Sequence, residues 1–225
     1  VRGVENGRRY EHRDEFFPTL FVKSKKNLKT KYKTLSGESV EAINPGTVRE
    51  CRDFYKRYDD VEGFEIYGND RYIYQYISDK YPDDEIKFDI SQIKLVTLDI
   101  ETTSEQGFPN VESCVEEILA ITIQDYTTKQ IVTWGSKPFN NKQKNVTYNY
   151  CANEYELLTS FINYWMQDVP DVITGWNIQM FDIPYICRRL DRVLGEKLMK
   201  RMSPWGLVSE GEIHVMGRTQ IVYDV

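Results

Sequence analysis

The 225-residue chain is short of histidine, with only His12 and His214, and its four cysteines, Cys51, Cys114, Cys151 and Cys187, lie far apart. No zinc-binding spacing can be assembled from that set. The thiols read as reduced packing residues of a cytoplasmic protein rather than a disulfide framework. Long apolar runs are missing as well: nothing approaches the roughly 20 residues that span a bilayer. The Arg-rich, polar start carries no secretory signal, and its first residue is Val1 rather than Met, which reads as an excised or trimmed piece. A basic excess is also absent. Net charge is -6, so the chain as a whole has no electrostatic footprint for nucleic acid. Residues 1–93 carry 17 basic and 18 acidic side chains and the remainder 12 and 17, so the acidity sits mostly in the second part.

What is present suits a packed globular fold. Hydrophobic residues make up 40% and charged residues 28%, enough to bury a core in one large or two modest domains. Residues 1–45 read as short strands and turns, with an apolar strand at 19–22 and a more polar one at 28–32. Lys29, Lys31 and Lys33 would share one strand face. They form either a phosphate-facing row or, as the favoured reading, lysines that protect an edge strand from aggregation. Residues 45–58 read as a helix capped by Thr47, and residues 64–67 as a short strand. Residues 70–81 read as a helix with Tyr72, Ile73, Tyr76 and Ile77 as its buried stripe.

The most informative strand is Leu95-Val96-Thr97-Leu98-Asp99-Ile100-Glu101-Thr102. Val96, Leu98 and Ile100 alternate on one face, and Thr97, Asp99 and Glu101 on the other. Alternate residues of a strand lie roughly 6 to 7 Å apart, so Asp99 and Glu101 repel unless a cation or proton sits between them. Spacing alone proves nothing, since Asp83 and Glu85 repeat it in a polar turn. Further strands follow at 118–124 and 130–134, then a polar loop at 136–150. Next comes a helix capped by Asn153 with Glu156 at capping-box spacing, and a short strand at 171–174. Strands followed by alternating helix and strand make the second part α/β.

A second acid stands at Asp182, where a new helix begins after the Gly175 turn, with Pro184 tolerated in the first helical turn. By itself Asp182 reads as an N-terminal helix acid answering the macrodipole. Beside an Asp-x-Glu strand in one α/β unit it becomes a candidate third carboxylate.

Asp99-Ile100-Glu101-Thr102, together with Gly175-Trp176-Asn177 and Phe181-Asp182-Ile183-Pro184-Tyr185, resembles the first two exonuclease motifs of family-B DNA polymerases. Gly107-Phe108-Pro109 and the basic, strand-rich start are most similar to polymerases of T-even-type bacteriophages. The resemblance implies a small α+β polymerase N-terminal domain over residues 1–93. It implies an RNase-H-like 3′→5′ exonuclease domain, a mixed sheet with flanking helices, over residues 94–225. Asp99, Glu101 and Asp182 would be the catalytic residues and ligate two divalent ions, Mg²⁺ or Mn²⁺, which suit hard carboxylate oxygens. Phe108, Asn177, Thr102 and Arg218 would contact DNA. For Phe108 the residue-level reading leaves a core aromatic in a Gly-Pro corner equally open, and Trp176 reads as a packing residue behind the site.

The implied function is proofreading within a replicative DNA polymerase. Its partners would be a single-stranded DNA 3′ end, primer-template DNA and the remainder of the polymerase chain, with no membrane, in the cytoplasm of a host. Residues 212–223 read as a hairpin with Gly217-Arg218 in a type II′ turn. It resembles the family's strand-separating hairpin, with a plain structural hairpin as the alternative. The family's third exonuclease motif would lie beyond Val225, so the piece alone is expected to hold metal weakly and to have impaired activity. Two other readings are a stand-alone exonuclease of the same four-carboxylate class, acting on DNA or RNA, and a non-catalytic nucleic-acid-binding module.

Overall fold

The computed structural model describes residues 2–5, 8–25, 30–82, 89–105 and 107–225. They divide into two compact units, Val1–Lys87 and Phe88–Val225, where the sequence reading put the divide at 93/94. Lys29 of the lysine row and the Asp83/Glu85 pair lie outside the described residues.

The first unit begins with an antiparallel pair, β1 (Arg2–Glu5) and β2 (Arg8–Glu11). A four-stranded sheet follows, built from β3 (Leu20–Lys23), β4 (Tyr32–Lys33), β5 (Ser39–Ile43) and, after helix α1 (Val48–Tyr58), β6 (Ile66–Tyr67). Its order is β4-β5-β3-β6, so β4 with Lys33 is an edge strand. Helix α1 starts where the sequence places it. The Thr47 hydroxyl accepts from the Glu50 N–H, and Glu50 reaches back to the Thr47 N–H, a complete capping box. Helix α2 (Tyr72–Lys80) corrects the expected buried stripe: Tyr72 is buried against Leu20 and Cys51, but Ile73 is 65% exposed and Ile77 is exposed too. A sheet this small covers one turn of helix, so the 3.6-residue pattern continues past the core that would bury it.

In the second unit β7 (Leu95–Thr102), β8 (Ile118–Asp125), β9 (Ile131–Gly135) and β10 (Val146–Tyr150) precede helix α3 (Glu154–Trp165). Then come β11 (Val172–Thr174), α4 (Asp182–Leu194), the short α5 (Glu196–Met199), and the hairpin β12 (Ser209–Val215) with β13 (Arg218–Asp224). The sheet order is β10-β9-β8-β7-β11, with β7-β8 and β8-β9 antiparallel and the two outer pairs parallel. This is the mixed sheet with flanking helices expected from the sequence. Strand β10 was not expected. Its residues Val146-Thr147-Tyr148-Asn149-Tyr150 are polar enough to read as loop, because an edge strand needs only one neighbour and little burial.

Val96, Leu98 and Ile100 of β7 are buried with Ile121, Ile123 and Trp134 of the sheet. Leu157, Phe161 and Trp165 of α3 and Ile183, Ile186 and Leu190 of α4 complete that core. Each such side chain contributes about 1.5–3 kcal/mol by leaving water, so β7 and the start of α4 are held by the same cluster. The four cysteines are free and buried, as expected of packing thiols.

The hairpin corrects the expected turn. Its two loop residues are Met216 and Gly217, both with positive φ (49° and 76°), and Arg218 already pairs with Val215. That is a type I′ turn, which matches the twist of the flanking strands but strains a side chain at its first position. Met216→Gly is expected to stabilise the chain by about 0.5–1 kcal/mol, read as a higher urea midpoint with an unchanged slope. Among the described residues no helix is long and apolar enough to cross a membrane.

Candidate active site

Strand β7 carries its side chains as the alternation requires. Leu98 and Ile100 are buried, while Asp99 and Glu101 stand exposed on the opposite face. The ladder to β8 slips between Glu101 and Thr102, a bulge that ends regular pairing beside the acidic pair.

On its other edge β7 is matched by β11 only as far as Thr174, opposite Thr97. The chain then turns at Gly175, where an added Cβ would lie 2.5 Å from the Leu98 carbonyl oxygen. Only glycine lets the two backbones approach this closely. Gly175→Ala is therefore expected to push β11 from β7 and cost about 1–3 kcal/mol in urea unfolding.

Beyond it Asn177 takes φ = 55°, a left-handed conformation that asparagine tolerates better than most residues. Its carbonyl accepts the N–H groups of Met180 and Phe181, and this tight wind delivers Asp182 to the start of α4. The Asp182 carboxylate then takes the Ile100 N–H at 3.2 Å, an amide on β7 past the end of β11.

Asp182 is only 3% exposed. Burial, with the nearby Asp99 charge adding to it, pushes its carboxyl from 3.8 up to about 6, although the N–H groups of Ile100 and of Asp182 itself pull the other way. A buried carboxylate next to a second acid favours either a proton or a cation. The structure thus brings Asp182 against the strand that bears Asp99 and Glu101. No group of three or more His, Cys, Asp and Glu side chains among the described residues is drawn together closely enough to hold an ion. The donor types themselves, aspartate and glutamate oxygens with no sulfur or imidazole among them, fit a hard divalent cation.

A cleft of about 360 Å³ includes Phe181, the residue before Asp182, in its lining, with Phe108, Asn177, Arg218, Thr219 and Gln220 among others. Three of the four residues singled out for DNA contact, Phe108, Asn177 and Arg218, therefore share one cavity. The fourth, Thr102, ends β7 and is not part of its lining. Phe108 is 86% exposed, which removes the core-aromatic alternative, and its ring lies 5.5 Å from that of Phe181. Trp176 is 92% exposed, against the packing role expected of it. It sits on the turn before Asn177, where the chain has already left the sheet and no core remains to cover an indole. Phe181 escaped sequence reasoning. It stands next to Asp182 in the motif, and nothing in a linear reading shows that its ring will face the Gly107-Phe108-Pro109 corner.

The family model described as DNA polymerase family B, exonuclease domain, matches residues 65–224. The chain belongs to that family. Among its relatives, the DNA-directed DNA polymerase of Escherichia phage RB69 is 31% identical over 88% of this chain and 25% of its own length. The DNA-directed DNA polymerase of Enterobacteria phage T4 is 31% identical over 98% of this chain and 27% of its own length. The DNA polymerase catalytic subunit of Human herpesvirus 7 is 31% identical over 43% of this chain and 10% of its own length. The chain thus spans about a quarter of the length of the two phage relatives. The matched stretch takes in nearly all of the second unit and the end of the first, and the five-stranded mixed sheet with flanking helices is consistent with an RNase-H-like fold. Exonuclease domains of this family are generally two-metal enzymes.

Proposed function

We propose that the second unit hydrolyses the terminal phosphodiester of single-stranded DNA in the 3′→5′ direction, as the proofreading part of a DNA-directed DNA polymerase. The first unit is then that polymerase's N-terminal domain. The observation that carries the reading is Asp182, a buried carboxylate seated on the β7 backbone beside Asp99 with its affinity for a positive charge raised.

Asp99, Glu101 and Asp182 would hold two Mg²⁺ or Mn²⁺ ions. Bound there, such ions supply the positive charge that lowers the cost of forming hydroxide from water and of releasing the 3′ oxygen. The chain's own residues do the remaining work. Phe108 offers a face on which a terminal base can stack, worth roughly 1–3 kcal/mol and indifferent to base identity, as proofreading requires. Arg218, which lines the same cleft, offers a positive charge for a phosphate. Asn177 lines the same cleft on a backbone held left-handed. The remainder of the polymerase chain and primer-template DNA are the natural partners of such a unit.

The test is release of the terminal nucleotide from 3′-labelled single-stranded DNA by the full-length protein that carries this sequence. Hydrolysis is expected to require Mg²⁺ or Mn²⁺ and to fall at least ~10³-fold in Asp99→Ala, about 4 kcal/mol of barrier. One observation favours a second reading, a non-catalytic nucleic-acid-binding module: no three acids stand together among the described residues. That reading prevails if Mn²⁺ never raises the unfolding temperature and DNA binding is indifferent to Asp99→Ala.

A further inference from the structure

The connection between β7 and β8 runs through turns and irregular backbone at residues 111–117, where the chain has no ladder to satisfy its carbonyls. Five consecutive carbonyls are instead taken by side chains of α4. Arg188 donates to Glu112 at 2.7 Å, Arg192 to Ser113 at 2.7 Å, Arg189 to Cys114 at 3.0 Å and Val115 at 3.3 Å, and Tyr185 to Glu116 at 2.8 Å. Arg192 donates to Cys114 as well. Residues 185, 188, 189 and 192 are spaced i, i+3, i+4, i+7, which places all four on one helix face. The helix that presents Asp182 to β7 therefore also fixes the loop that carries Phe108.

Of these four side chains, Arg188 also reaches the hairpin. Its second Nη donates to the Glu210 carboxylate of β12 at 3.1 Å, and the Tyr223 hydroxyl of β13 donates to the same carboxylate. The cleft is lined by Phe108, Pro109, Asn110, Val111 and Glu112 from the β7–β8 connection and by Arg218, Thr219, Gln220 and Ile221 from the hairpin. We propose that Arg188 is a positioning residue for this cleft. Its guanidinium ties the Phe108 side to the hairpin side and so sets the gap in which a terminal nucleotide lies. A planar fork can serve a carbonyl and a carboxylate in two fixed directions at once, which a lysine ammonium on a flexible stem cannot. The inference rests on the strand-binding reading of the cleft, and it adds a named group that couples the hairpin to the acids through a single helix.

The experiment uses the full-length protein and a single-stranded oligonucleotide with a fluorescent base at its 3′ end. In Arg188→Ala, KM for the oligonucleotide is expected to rise about tenfold with kcat changed less than about threefold, the pattern of lost uniform binding. Glu210→Gln keeps an acceptor for Tyr223 but loses the charge, and is expected to raise KM in the same sense by a smaller factor. Arg188→Lys is expected not to restore the unaltered KM. Amide hydrogen exchange is expected to quicken by about tenfold in both 107–112 and 209–224 in Arg188→Ala, with the centre of β7 unaffected. An unchanged KM, a fall in kcat alone, full rescue by lysine, or an exchange effect confined to the loop overturns the proposal. Absence of hydrolysis and DNA binding in the unaltered protein sinks the nuclease reading instead, while the exchange measurement still decides whether Arg188 ties the two sides.

Discussion

Asp182→Asn is expected to have two opposite effects: a more stable metal-free chain, and exonuclease activity lowered at least ~10³-fold, some 4 kcal/mol of barrier. The first effect follows from electrostatics. The Asp182 carboxyl is pushed up to about 6 from 3.8 by burial and the Asp99 charge, so above pH 6 the folded chain holds an anion that the unfolded chain would solvate freely. The folded state therefore binds more protons than the unfolded state between pH 4 and 6, and stability falls as pH rises through that window. The difference amounts to about 1–3 kcal/mol at neutral pH. Asparagine removes the charge while its carbonyl oxygen can still accept the Ile100 N–H that Asp182 takes at 3.2 Å. Urea unfolding in a chelating buffer is expected to show Asp182→Asn more stable than the unaltered chain at pH 7.5, with the gap closing by pH 4. If the variant is less stable at pH 7.5, Asp182 is a structural carboxylate and not one held at the expense of the fold.

That pairing of cost and use was only half legible in the sequence. Strand β7 was fully so, because a period-2 pattern with Leu98 and Ile100 on one face leaves Asp99 and Glu101 no other place to go. Helices α3 and α4 were equally plain from their apolar spacing and their breakers. What could not be read is where separate segments meet. Asp182 looks like any helix-capping acid until the end of β11 is seen to leave an amide of β7 for it to bind. Phe108 looked as ready for a core as for solvent and Trp176 read as a packing residue, since an aromatic on a turn carries no periodic signal. Their exposure follows from the bends at Gly107 and Gly175, which carry both rings away from the sheet. The arginines of α4 carry no linear signal of their burial either. Three cations among 188–192 suggest a solvated face, yet Arg189 is 5% exposed. The acceptors that make its burial tolerable are the Glu154 carboxylate, 35 residues away, and carbonyls of a loop more than 70 residues away.

The second large effect is expected at that arginine. Arg189→Ala should destabilise the chain by about 3–5 kcal/mol, the range for removing one partner of a buried ion pair. Glu154, at the start of α3, is 6% exposed and receives Nε of Arg189 at 2.8 Å, a second guanidinium contact through Nη2, and the Ile118 N–H at 2.8 Å. Without the arginine a buried carboxylate keeps one amide and loses its counter-charge, and the carbonyls of Val115 and Cys114 lose a donor together with it. The reverse change, Glu154→Gln, strands the guanidinium but preserves an oxygen acceptor for Ile118, so its cost should be smaller. The double variant Arg189→Met with Glu154→Leu fills the volume with apolar atoms and should recover much of the loss, because desolvating both charges consumes most of what their attraction contributes. A double-mutant cycle by urea unfolding measures the coupling directly. If Arg189→Ala costs under about 1 kcal/mol, the pair behaves like a solvated surface bridge. The anchoring of the 112–116 loop on α4 would then have to rest on Tyr185, Arg188 and Arg192 alone.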